Sequence, residues 1–291
     1  MNKLITGIAV IAVILIVGAT YFLFKITVNA ASTLALLAIG FLVGFLVSLV
    51  GGSGGVFYVP LLIIGFGIDP RIAITTSLAT MVPTAIIGSL SHRDSGNLDI
   101  KAGLIFGLSG MCSALLGVYF SSRISTANLE TIIGVVLIGL SIPMGIEAIK
   151  RIKSTHLLDN EKKFKPGLSK YRNPVSVAFG TMSGFMSGLL GLSGLSFVVT
   201  GMYLLGYSAS TVIGTSVFVL LFNSAAGLAG YIWLGQFDLT LILLLSIPAS
   251  VGAFIAPKVL SKVKRSLLEK VYGPVFVLIL IAFGLALVLR G

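Results

Sequence analysis

The chain has 291 residues, 56% of them hydrophobic and only 10% charged, with a mean hydropathy of +1.10. These proportions exclude an ordinary soluble domain and describe an integral membrane protein. A net charge of +11 would suit a nucleic-acid binder, but the basic residues fall in short loops between apolar runs, where membrane topology accounts for them, so nucleic acid is excluded as a partner.

In chain order, Met1-Asn2-Lys3 precede an apolar stretch from Leu4 to Phe24. That stretch exceeds the roughly 7–15 residues of a signal-peptide core and suits a spanning helix. Residues 1–32 are therefore read as a retained N-terminal transmembrane helix; the small-residue run Val28-Asn29-Ala30 carries the alternative of a cleaved signal sequence. Both readings place the N-terminus inside and Lys25 outside.

Further hydrophobic segments lie at about 33–66, 73–91, 100–120 and 129–149, then at about 174–207, 210–234, 239–259 and 269–289. A basic linker at 150–173, with eight Lys/Arg against Asp159 and Glu161, divides them into two sets of four. The sets match one another at an offset of 139–140 residues. Gly40, Gly44 and Ser48 followed by Gly51-Gly52-Ser53-Gly54-Gly55 correspond to Gly180, Gly184 and Gly188 followed by Gly191-Leu192-Ser193-Gly194-Leu195. Thr75-Thr76-Ser77 corresponds to Gly214-Thr215-Ser216, Gly88 to Gly227, and Gly96–Asp99 to Gly235–Asp238. Residues 33–149 and 174–290 are thus two repeats.

The first segment of each repeat is 34 residues long, or about 51 Å as a helix, against a hydrocarbon core of about 30 Å. Each is either one tilted span or a hairpin that enters, turns at its glycines and returns. Loop charge separates these cases. Nine single crossings leave 8 Lys/Arg inside and 12 outside, whereas two returning hairpins leave 16 inside and only Lys25, Arg71, Arg123 and Arg290 outside. The positive-inside bias selects the hairpins. A hairpin plus three crossings is an odd number of crossings, so the repeats have opposite orientation. The predicted fold is an all-α membrane protein of two inverted repeats, each a broken re-entrant hairpin plus three transmembrane helices, with one extra N-terminal helix. It is a multi-pass plasma-membrane protein with N-terminus and linker cytoplasmic.

The breaks carry the candidate chemistry. A helix broken within a bilayer strands backbone polar groups unless protein or a wet cavity satisfies them. Paired breaks in corresponding halves are a pointer to a transport site. New helices are expected from about Gly55 and Leu195, with Ser53 and Ser193 where an N-cap belongs and Ser196 in the first turn. Their first N–H groups carry partial positive charge, and glycine lets backbone approach a guest closely, which suits a small anion. Gly51, Gly52, Ser53, Gly54, Gly55, Gly191, Ser193, Gly194 and Ser196 form the candidate substrate site. Thr75, Thr76, Ser77, Thr215 and Ser216, in the helices after the hairpins, either line it or pack helices through small residues. Asn223 is either a ligand contact or an interhelical hydrogen bond. Asp99 and Asp238 each precede an apolar run and read as helix N-caps. His92 and Arg93 stand at the predicted inner boundary, as gate residues or interfacial anchors. Lys, Arg, Asp and Glu are absent from the middle of every predicted span, which favours an anion held by dipoles and hydroxyls over a cation or an acid-based proton relay. No metal or cofactor is predicted, and a homo-oligomer is compatible with this reading.

The run Gly51-Gly-Ser-Gly-Gly55 leading to Val59-Pro60, then Ala73-Ile-Thr-Thr-Ser77, then His92 with Gly96, together with Gly191-Leu-Ser-Gly194 and Gly214-Thr-Ser216, resembles the TauE/SafE family of sulfite exporters and sulfonate-permease-like carriers. The resemblance covers about residues 33–289. It implies a plasma-membrane secondary carrier moving sulfite, sulfonates or related small sulfur-containing anions. The second copy departs from the glycine motif, with Leu192, Leu195 and Thr200 in the places of Gly52, Gly55 and Pro60.

Both breaks also fit the G-x-S-G pattern of rhomboid-type intramembrane serine proteases. Such a serine needs a base within hydrogen-bond reach, and the only histidines are His92 at a boundary and His156 in the linker. The chain is read as a non-enzyme. A passive anion channel competes as well, since inverted repeats and helix-terminus anion sites serve both classes. A non-transporting assembly subunit is disfavoured by the paired breaks.

Overall fold

In the computed structural model, residues 30–50, 54–153, 171–260 and 265–291 are described. The predicted first helix, most of the linker, and Gly51, Gly52 and Ser53 lie outside them. The described residues are all-helical: α1 (Ala30–Val50), α2 (Gly55–Phe66), α3 (Pro70–Asp94), α4 (Ile100–Arg123), α5 (Thr126–Lys153), α6 (Arg172–Leu190), α7 (Leu195–Leu204), α8 (Ala209–Trp233), α9 (Leu239–Leu260) and α10 (Arg265–Arg290). Among them, α3, α4, α5, α8 and α9 are long and apolar enough to cross a membrane.

Local chemistry sets the boundaries. Asp69 accepts from the Arg71 amide with Pro70 at the first helical position, Asp99 accepts from the Ala102 amide at 2.9 Å, and Ser208 accepts from Thr211. Asp238 accepts from Thr240 and Leu241 at 2.8 and 3.1 Å. Both repeat-equivalent aspartates are therefore the predicted helix caps. Gly67 and Gly191 end α2 and α6 in the left-handed conformation, which costs glycine little.

Two helix pairs carry the closest packing. α6 lies along α4, where a Cβ added to Gly184 would strike the Gly110 backbone and one added to Gly188 would strike Ala114. α1 lies along α9, where Gly44 meets the Ala249 backbone and Gly40 meets Leu245. Without a water-driven hydrophobic effect in lipid, such backbone approach supplies the dispersion contact that holds helices together. α3 and α8 cross between these pairs, Gly88 against Val217 and Gly227 against Leu78. The larger buried cluster runs through Tyr58, Leu62, Ile74, Leu78 and Met81; a second, around Phe106, Val198, Met202 and Val219, lies between α4, α7 and α8.

Polar groups gather at the two ends. At one, the Arg71 guanidinium donates to the carbonyls of Ser121 and Ile124, Thr75 donates to the Gln236 carbonyl at 2.8 Å, and Arg290 donates to the Ile63 carbonyl at 3.0 Å while pairing with Glu130 at 3.4 Å. At the other, Asp99 meets Arg172 at 2.7 Å and the Tyr207 hydroxyl at 3.0 Å, and its amide donates to the Thr215 hydroxyl at 3.0 Å. Arg172 opens α6 and Tyr207 follows α7, so the two ends of that broken pair lie side by side. The end of α2, marked by Ile63, lies at the opposite end from Tyr207.

Candidate functional site

The two breaks touch. α6 ends at Leu190, Gly191 turns left-handed at φ +67°, Ser193 follows at φ +65° and Gly194 at φ +57°, and α7 begins at Leu195. From the other half, Gly54 caps α2 and Gly55 opens it. A Cβ added to Gly55 would strike the Gly191 carbonyl oxygen and the Met81 methyl. That same carbonyl accepts from the Ser77 hydroxyl of α3 at 3.2 Å. Gly55, Ser77 and Gly191 therefore meet at one point, built from both halves of the chain and from α3.

The helices begin at Gly55 and Leu195, as the glycine pattern predicts. The capping differs. Gly194, with no side-chain cap, occupies the position predicted for Ser193, and Gly54 is the N-cap of the other helix, likewise without a side-chain cap. The physical reason is the tightness of the turn: two residues at positive φ must fit between the Gly191 cap and α7, which moves Ser193 one residue upstream of the cap. A left-handed backbone costs a non-glycine residue about 1–2 kcal/mol, so Ser193 is a strained position held by its surroundings. Gly194 seats that turn on the Ser183 backbone of α6, whose carbonyl oxygen is the atom nearest to where its Cβ would stand.

The described residues of the breaks are buried, Ser196 aside. Ser193 is 1% exposed, and Gly54, Gly55, Gly191 and Gly194 are buried with it. Ile74 and Met81 pack directly on the breaks, and the Tyr58 hydroxyl ties α2 back to the Gly40 carbonyl of α1 at 3.1 Å. Ser196 faces out and is exposed.

The other predicted residues divide among different partners. Thr75 donates to the carbonyls of Arg71 and Gln236, Thr76 to that of Ile72, and Thr215 accepts from the Asp99 amide. These three hydroxyls are engaged in helix and loop contacts. Ser216 is 3% exposed and its hydroxyl has no partner among the described residues. Asn223 donates to the Ser183 hydroxyl at 2.9 Å, which is the interhelical hydrogen bond, while its carbonyl oxygen is buried without a partner. Ser187, buried one turn before the second break, is likewise unpartnered. An unsatisfied buried polar atom costs about 1–3 kcal/mol, so α6 and α8 carry unspent hydrogen-bonding capacity beside the break. Arg93 is exposed; His92 is half-buried, its Cβ 3.0 Å from where a Cβ on Gly214 would stand. Neither His92 nor Arg93 lies at the break.

Sequence reasoning missed Arg172 and Tyr207, which join Asp99 at the start of α4. Burial alone would raise the Asp99 carboxyl, but the Ala102 amide, the Tyr207 hydroxyl and the Arg172 charge together hold it below the usual carboxylate range. Burial and the Asp99 carboxylate push the Tyr207 hydroxyl up to about 12. The Arg172 guanidinium also lies over the Tyr207 ring, 5.5 Å from its centroid. The only sequence signal was an arginine at the very start of a helix.

A bundle of long apolar helices with two glycine-hinged helix openings meeting in its interior defines a membrane transporter architecture. The sulfite exporter TauE/SafE family matches residues 36–287, and the chain belongs to that family. It is similar to the probable membrane transporter protein YunE of Bacillus subtilis, at 26% identity over 89% of this chain and 98% of the relative. It is also similar to YdhB of the same organism, at 28% identity over 75% of this chain and 86% of the relative, and to MJ0441 of Methanocaldococcus jannaschii, at 28% over 82% and 91%; both are named probable membrane transporter proteins. No solved structure matches the chain.

Proposed function

We propose that this membrane transporter is a secondary carrier of small sulfur-containing oxyanions such as sulfite or sulfonates, working in the plasma membrane. The anion is held between the two breaks by the first amides of α2 and α7 and by hydroxyls. Helix N-termini carry partial positive charge, so they suit an anion without a charged side chain. The observation that carries this reading is the meeting of Gly55, Gly191 and Ser77, which brings breaks from two distant stretches of the chain together. Ser187, one turn before Gly191, offers a hydroxyl that no group among the described residues uses.

We further propose the inverted-repeat architecture of residues 33–149 and 174–290, with the linker cytoplasmic. Three pairs of equivalent contacts support it: Gly40 on Leu245 with Gly180 on Phe106, Gly44 on Ala249 with Gly184 on Gly110, and Gly88 on Val217 with Gly227 on Leu78. Each member of a pair maps onto the other at the repeat offset. The shared contact of Arg172 and Tyr207 with Asp99 supports a returning hairpin.

The test is flux in proteoliposomes. Gly54→Leu introduces a side chain at the break, against the Tyr58 ring, and insertion and folding of the variant are checked by chromatography. Saturable uptake of sulfite or a sulfonate in the parent protein and its loss in the variant support the reading. Undiminished flux in the variant refutes the site, and unitary currents in place of saturation indicate a channel.

A further inference from the structure

We propose that Asp99, Arg172 and Tyr207 form a latch that holds the inner end of the carrier shut, and that the outer end is tied by different contacts. The inference rests on the orientation proposed above. The cluster ties four elements: the start of α4 through the Asp99 carboxylate, the start of α6 through Arg172, the turn after α7 through Tyr207, and α8 through the bond from the Asp99 amide to Thr215. Both ends of the second hairpin are thereby fixed to one carboxylate. An opening at this end that separates the hairpin from α4 or α8 must break these bonds together.

The repeat-equivalent positions at the outer end are built differently. Asp238 replaces Asp99 and caps α9 through Thr240 and Leu241, yet it pairs with no cation among the described residues. Ser32 and Ile68 stand in the places of Arg172 and Tyr207, and neither carries charge. Thr76, the counterpart of Thr215, spends its hydroxyl on Ile72 of its own helix rather than on the Asp238 amide. The ion pair that the outer end does have, Arg290 with Glu130, joins α10 to α5, which already pack along each other, and touches the first hairpin only through the Ile63 carbonyl. Two repeats with near-equal backbones and unequal end contacts have unequal opening equilibria. Opening toward the cytoplasm therefore has to break a charged cluster that the repeat-equivalent positions of the outer end do not reproduce.

The test uses the full chain in sealed membrane vesicles of known sidedness, with Cys112→Ala removing the only native thiol. Ser176→Cys places a thiol one turn from Arg172, at a fully buried position of the inner end. Its modification by a membrane-impermeant thiol reagent reads opening directly, with no substrate present. Asp99→Asn keeps a helix cap while removing the charge, and Arg172→Gln removes the partner. Each is expected to speed labelling by about fivefold, the opening of an equilibrium by roughly the strength of one partly exposed charged pair. Asp238→Asn is expected to leave the rate unchanged. Equal rates in parent, Asp99→Asn and Arg172→Gln overturn the latch, as does equal acceleration by Asp238→Asn. Acceleration seen only with reagent on the outer side upholds the latch and overturns the proposed orientation.

Discussion

Gly194→Ala isolates what the second break demands of its backbone. Gly194 sits at φ +57°, and a Cβ there would stand 2.7 Å from the Cα and carbonyl carbon of Ser183, which are main-chain atoms unable to swing aside. Gly67 is the control, at φ +65° with nothing within 4 Å of its added Cβ. Gly67→Ala meets only the left-handed penalty, about 1–2 kcal/mol. Gly194→Ala meets that penalty plus overpacking of about 1–3 kcal/mol, for a total of about 2–5 kcal/mol. With roughly 2–4 °C per kcal/mol in a chain of this size, the apparent Tm falls by about 4 °C in the first variant and by about 10 °C in the second. The assay is a thermal scan of detergent-purified protein at one fixed scan rate, because such unfolding is governed by rate. Equal losses in the two variants would refute the claim that the turn is wedged on Ser183.

Tyr231→Phe removes a hydroxyl that bonds Ser121 at 2.8 Å and the Gly188 carbonyl at 3.0 Å, and is expected to cost about 1–3 kcal/mol, read as a lower Tm. Gly184→Ala forces α6 off the Gly110 backbone and is expected to destabilise more than Gly139→Ala, which meets nothing within 4 Å; the same scan checks it. Because the Asp99 carboxyl is depressed in the folded protein, its contribution is complete above the ordinary aspartate range near pH 4 and is lost as pH falls through its folded value. Labelling through Ser176→Cys, taken relative to a freely exposed thiol at each pH because the thiolate fraction itself falls with pH, should therefore hold steady from pH 7 to pH 5.5. Tyr207, raised to about 12, contributes below about pH 10 and loses that contribution between 10 and 12, read as falling Tm in that window.

Glycine and aspartate made much of the fold legible. The starts of α2 and α7 follow from Gly54–Gly55 and Gly194–Leu195, and the caps Asp99 and Asp238 from a carboxylate ahead of an apolar run, because both signals are local. Repeat matching picked out Gly40, Gly44, Gly180 and Gly184 before their partners on α9 and α4 were known. The partners themselves are tertiary facts. No spacing rule announces that Thr75 reaches Gln236 or that Thr215 serves Asp99, 161 and 116 positions apart. Ser193 at φ +65° was illegible for a related reason: sequence favours glycine at such angles, and only the packing on Ser183 and Ile74 holds serine there. Asn223 was legible as a polar mid-span residue, and the structure supplies the half that sequence left open, its bond to Ser183.

Whether an oxyanion sits between the two breaks is decided by equilibrium binding. Sulfite, sulfate, sulfoacetate, taurine and acetate would be titrated into purified parent protein and into Gly54→Leu. The expected result is saturable binding of a sulfur oxyanion to the parent and its loss in the variant, with the variant still folded by chromatography. Equal affinity in both proteins, or binding of none of the sulfur oxyanions to the parent, would contradict that seat.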